Sequence, residues 1–194
     1  LDVRMLDTPV MGIEQSRVEV LRMADGCKKM MRWLAELSEH EGEPDRKLTQ
    51  RLFHREEVLD TIQDEIVTFL SDLLAAQLPH DVIVEGRRQL RMADEFESIS
   101  DYVASILKFQ IRLYDQGFVL TEAMRNMQRR LHDVVADYLQ MIVEACEQRN
   151  AAIVTKANTM RASPPRIPPW LSEAGCEPLG TTIGCGSNPA PRIA

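Results

Sequence analysis

Two matched acidic steps, Glu56-x-x-x-Asp60 and Glu97-x-x-x-Asp101, are the residues of this chain best placed to do chemistry. In each step two carboxylates stand one turn apart on the same face of a helix. The steps are nearly symmetric about Leu78-Pro79-His80, since Asp60 lies 18 residues before Leu78 and Glu97 lies 17 after His80. Antiparallel helices on either side of that turn would set Asp60 level with Glu97 and Glu56 level with Asp101. Carboxylates gathered in this way repel one another unless a cation or basic side chains neutralise them. Oxygen donors without histidine or cysteine select hard or borderline cations, namely Mg²⁺, Ca²⁺, Mn²⁺ or iron. The site residues expected to bind metal are therefore Glu56, Asp60, Glu97 and Asp101. Cation binding is the chemistry they suggest, and no nucleophile–base pair, phosphate loop or cofactor motif accompanies them to suggest an enzyme.

The elements that must position these acids are helices. A first helix is predicted from about Pro9 to His40, with Thr8 as N-cap and Pro9 at its first position. Its seam is Ile13, Val20, Ala24, Cys27, Met31 and Leu34, with steps of 7, 4, 3, 4 and 3. Glu41-Gly42-Glu43-Pro44 breaks it. A second helix runs from about Arg46 to Leu78 with Leu52, Leu59, Ile62, Ile66, Phe69 and Leu73 on one stripe. A third covers Asp81 to Asp115 with Met92, Phe96, Ile99, Val103 and Ile106 in register, and Gly117 suits the left-handed position after its end. A fourth starts near Thr121-Glu122 and carries Met124, Met127, Leu131, Val134, Tyr138, Met141 and Ala145; Ala151 to Met160 reads as the start of a fifth. Short connections force antiparallel neighbours, so the fold class is all-α, an up-and-down helical bundle. The acids flank the buried stripes and so border the helix–helix seam.

Two plainer readings compete with a metal site. The acids simply face water, or Arg55, Arg87, Arg88 and Arg91 on the same two helices form a salt-bridge lattice with them. A carboxylate-bundle redox enzyme is disfavoured, because His40, His54, His80 and His132 supply no Glu-x-x-His step.

Composition narrows the class further. The net charge of −7, with no basic stripe, argues against nucleic acid as a partner. No run of 18 apolar residues occurs, so no transmembrane segment is expected. Cys27, Cys146, Cys176 and Cys185 match no zinc or disulfide spacing, and Cys27 and Cys146 read as buried thiols in a reducing compartment. The chain opens at Leu1-Asp2, which suggests a piece of a longer protein. Residues 162–194 hold seven of ten prolines and four of nine glycines, and read as a disordered or non-native tail.

Three stretches resemble a known family. Ala93-Asp94-Glu95-Phe96-Glu97-Ser98-Ile99-Ser100-Asp101-Tyr102 resembles the PhoU signature, and His54-Arg55-Glu56-Glu57-Val58-Leu59-Asp60-Thr61-Ile62 resembles its companion step. Leu1-Asp2-x-Arg4-x-Leu6-Asp7-Thr8-Pro9, followed by Ile13-Glu14-Gln15-Ser16-Arg17, is similar to the junction where the membrane domain of bacterial Na⁺/phosphate cotransporters meets a cytosolic PhoU-like domain. The resemblance implies residues 1–8 as a linker and 9–161 as a PhoU-like domain whose first three-helix repeat is complete and second is partial. It implies metal binding at Glu56, Asp60, Glu97 and Asp101, and a regulatory, non-enzymatic part in sodium-dependent phosphate uptake. The implied partner is the membrane transporter domain of the same parent protein, at the cytoplasmic face of the bacterial inner membrane. The alternative is a stand-alone PhoU-type phosphate-signalling adaptor. Ser98 and Ser100 replace the Arg and Gly usual in the signature, and the second acidic cluster is missing. A partial second repeat would leave Met127, Leu131, Val134 and Tyr138 uncovered, so a homodimer is expected.

Overall fold

A computed structural model describes residues 1–2, 8–39, 42–118 and 120–148. The expected fifth helix and the Pro/Gly tail lie outside the described residues. Within them the architecture is all-α: α1 (Pro9–Glu39), α2 (Arg46–Leu74), α3 (His80–Asp115) and α4 (Glu122–Gln148).

Local signals set the helix ends. Asp45 accepts hydrogen bonds from the Lys47 and Leu48 amides at 2.8 and 3.1 Å and so caps α2. Thr121 Oγ1 does the same for the Met124 amide at 3.3 Å at the start of α4. Gly117, at φ 74°, closes α3 in the expected left-handed conformation, and the Phe118 amide reaches back to the Leu113 carbonyl at 3.0 Å. α2 stops at Leu74, four residues before the expected Leu78. Pro79 biases the residue before it toward extended backbone, and the chain leaves the helix through a turn at Ala75–Ala76.

α1, α2 and α3 pack on one another as a three-helix bundle, and α4 lies against α1. α1 and α3 run parallel, with α2 opposed to both. Gly86 near the start of α3 thus sits beside Ile13 of α1 and Leu74 of α2, and Gln110 near its end bonds Ser38 of α1. All six expected seam residues of α1 are buried, as are Leu52, Leu59, Ile66, Phe69 and Leu73 of α2, with Ile62 partly covered.

The buried face of α3 includes Phe96 and Val103 as expected, with Met92 and Ile99 partly covered. Ile106 is 45% exposed, and the helix also turns Gly86, Ala93, Ser100, Ala104 and Leu107 inward. Small residues at these points let neighbouring side chains reach the α3 backbone. Among them is Cys27, whose Sγ donates to the Phe96 carbonyl at 3.1 Å. Burial pushes this thiol up to about 12. At pH 8 its thiolate fraction is then about a thousandfold below that of an ordinary cysteine. Iodoacetamide should therefore leave the Cys27 peptide unlabelled in the native protein and modify it in urea. Rapid native labelling would contradict the packing.

α4 leaves Leu131 and Val134 uncovered as expected, while Met127 and Tyr138 are half-buried. It faces α1 with Leu139 and Val143, while Met124, Leu131, Val134 and Val135 are exposed, Leu131 by 53%. Its main apolar stripe is thus turned aside from the bundle. Concentration-dependent association is the expected result in sedimentation velocity. Leu131→Glu/Val134→Glu should yield a monomer with unchanged helical circular dichroism, and a monomeric wild type at 100 µM, on the order of a weak dimer's working range, would refute the stripe as a contact surface.

Candidate metal centre

The α2–α3 seam gathers three of the four acids. Asp60, Glu97 and Asp101 each offer a carboxylate oxygen, and these three atoms lie within 4.8 Å of one another. The pairing register follows the symmetry about Pro79. One turn further along the seam, Gln63 Nε2 donates to Asp94 Oδ1 at 2.8 Å, which fixes the same register, while the Asp94 charge still adds repulsion at Glu97.

Glu56 does not join them. Its Oε1 pairs with Lys108 Nζ at 3.6 Å instead. The reason lies in side-chain direction. Helical side chains lean toward the N-terminus of their own helix. On antiparallel helices Glu56 therefore leans toward the C-terminal end of α3, where Lys108 stands, and Asp101 leans back toward Glu97. Residues at one level thus diverge. Lys108 carries no motif of its own, but it sits two turns beyond Asp101 on the same face of α3.

The electrostatics mark the trio as under-neutralised. Partial burial raises the Asp60 carboxyl above its ordinary range, with Asp101 and Asp64 adding repulsion and Lys108 offsetting part of it. Glu97 is raised too, first by burial and then by Asp101, against a hydrogen bond from Ser98 Oγ at 3.3 Å. Ser98 thus supplies a neutral donor to the carboxylate. Asp60 Oδ1 is withdrawn from solvent and accepts no hydrogen bond. A buried acceptor without a donor is costly, and a cation would satisfy it.

The arginines do not form the alternative lattice. Arg55 lies over the Trp33 ring at 6.0 Å and Arg88 pairs with Glu85 at 3.5 Å. Among the described residues, Lys108 is the cation seen paired with any of the four acids. No histidine enters the trio; His54 stands beside Glu57 at 3.5 Å on the exposed face of α2.

The donor set is three carboxylates from two helices, and it fits a hard cation. Ca²⁺ binds oxygens at about 2.3–2.6 Å, so ligand oxygens on one ion are at most about 5 Å apart, and the three oxygens here lie within that limit. Asp101 is exposed, which leaves the outer side open to water or an incoming ligand. Among the described residues no helix is long and apolar enough to cross a membrane. No family model matches the chain, and no curated protein or solved structure matches it either.

Proposed function

We propose that this chain is a cation-binding regulatory helical domain of the PhoU-like kind, acting beside the membrane part of a sodium-dependent phosphate transporter at the cytoplasmic face of the membrane. The observation that carries the cation-binding reading is the convergence of Asp60, Glu97 and Asp101, with Asp60 Oδ1 shielded and lacking a donor. The two stretches that resemble the PhoU signature and its companion supply these residues, and they face each other across the α2–α3 seam. Binding there would tie the middle of α2 to the middle of α3, and so couple cation occupancy to the rigidity of the bundle.

The test is a titration of the metal-stripped protein with Mn²⁺ or Ca²⁺, followed by calorimetry and thermal unfolding. Wild type should bind one cation and gain thermal stability, and Asp60→Asn/Asp101→Asn should lose at least tenfold in affinity. Unchanged binding in the variant would place the cation elsewhere and sink the site.

A second reading is supported by a different observation. Tyr102 and Phe109 of α3 are 70% and 56% exposed and, with Ile106, form an outward stripe next to the acids. That surface suits a phosphate-signalling adaptor working through protein contacts. Absence of any cation binding, with a partner whose binding is lost in Tyr102→Ser/Phe109→Ser, would favour it.

A further inference from the structure

A cavity of about 460 Å³ opens at the end of the bundle where α1 and α3 finish and α4 begins. Its size falls within the usual range for small-molecule sites, about 300–1,000 Å³. It shares no residue with the carboxylate trio. Leu37, Leu107 and Leu113 line the inner part, and the rings of Tyr114 and Phe118 stand at the exposed side.

The polar part of the wall is organised around one hydroxyl. Ser38 Oγ donates to the Leu34 carbonyl at 2.6 Å and accepts from Gln110 Nε2 at 2.8 Å and from Gln128 Nε2 at 3.3 Å. A serine hydroxyl has one donor and two acceptor sites, so Ser38 is fully used. Each glutamine bonds Ser38 through one N–H and keeps its amide oxygen and its second N–H. Two carboxamides, one from α3 and one from α4, therefore line the same cavity, each with an acceptor and a donor left over. Groups of this kind gain more from a matched partner than from an apolar surface.

Charge selects among ligands. Among the described residues the cavity wall holds one guanidinium, Arg125, which donates to the Leu120 carbonyl at 3.0 Å, and one carboxylate, Glu122. The two cancel, so the wall favours neither an anion nor a cation. We infer that this cavity is a binding site for a small neutral molecule with an apolar ring or chain and a carboxamide-like head, which pairs with the amides of Gln110 and Gln128. Such a head has two N–H donors and an oxygen with two lone pairs, enough to meet the spare donor and acceptor of each glutamine. Because Gln110 belongs to α3 and Gln128 to α4, occupancy would also link α4 to a helix it does not pack against. Ligand binding would then fix the position of α4 on the bundle.

The probe is naphthalene-2-carboxamide, compared with naphthalene-2-carboxylate and 2-naphthylmethylamine, titrated into ¹⁵N-labelled protein. The expected result is a saturable shift of the Gln110 and Gln128 side-chain amide resonances with the carboxamide, and at least tenfold weaker binding of both charged probes. Gln110→Leu/Gln128→Leu should weaken carboxamide binding at least tenfold while retaining helical circular dichroism. The probe series on the wild type decides the matter even if that variant does not fold. No saturable shift at these two side chains, equal binding of a charged probe, or shifts centred on the exposed Tyr102–Phe109 stripe would each overturn the assignment.

Discussion

Leu59→Ala is expected to lower the unfolding free energy by about 2–5 kcal/mol, the range for deleting a buried leucine side chain. Leu59 is 1% exposed and sits in the middle of α2, at the centre of the core. Its partner across the α1–α2 contact is Gly26, where an added Cβ would lie 2.7 Å from Leu59 Cδ2. The glycine is thus the socket for this leucine. Gly26→Ala alone sets an overpacking cost of about 1–3 kcal/mol against about 1 kcal/mol of helix propensity, so it should be neutral to destabilising. In the Leu59→Ala background the clash is gone, and the same change should stabilise by about 1 kcal/mol. Urea unfolding of the four proteins completes the double-mutant cycle. A coupling below about 0.5 kcal/mol, the level of independent sites, would show that the two residues do not share a packing unit.

This contact also shows which parts of the fold the sequence makes plain. The α1 seam was read in full because its positions are apolar in a long, uninterrupted helix, so periodicity alone identifies the face. On α3 the same periodicity identifies Phe96 and Val103 but not the small residues beside them. Gly86, Ala93 and Ser100, spaced by seven, are weak or absent in any hydrophobic count, yet they are what the neighbouring helices approach. Side-chain apolarity alone points to Ile106, which is exposed. On α4 the larger stripe, through Leu131 and Val134, drew attention away from Leu139 and Val143, which make the contact with α1. In the candidate site, sequence symmetry about Pro79 set the register of Asp60 against Glu97. It does not carry the direction in which each side chain leans, and that direction takes Glu56 to Lys108 and away from the other acids. The Ser38–Gln110–Gln128 node had no sequence signal, because its members come from three helices with no shared spacing.

The acidic trio should respond to pH in opposite senses with and without a cation. Asp60 and Glu97 both have folded-state pKa values raised above their ordinary ones. In chelator the folded protein then holds more protons than the unfolded chain within the carboxylate range, so unfolding becomes harder as the pH falls. That contribution is fully present below the unfolded pKa and is lost as the pH rises through the folded values. Saturating Ca²⁺ or Mn²⁺ reverses the slope at this site, because only the deprotonated carboxylates bind the cation. At neutral pH a cation at a hundred times its Kd should add about 2.7 kcal/mol of stability. Asp60→Asn/Asp101→Asn should lose the cation effect and keep only the part of the pH effect that burial of Glu97 supplies. Relieved of like-charge pairs that each cost about 0.2–0.5 kcal/mol, it should be more stable than wild type in chelator by about 1 kcal/mol. With cation present the order should invert. Thermal melts of both proteins at about pH 3.5 and 7.5, on either side of the ordinary carboxylate pKa of about 4, with and without cation, separate a built cation site from solvated acids. Solvated acids would leave the order of the two proteins unchanged by the metal.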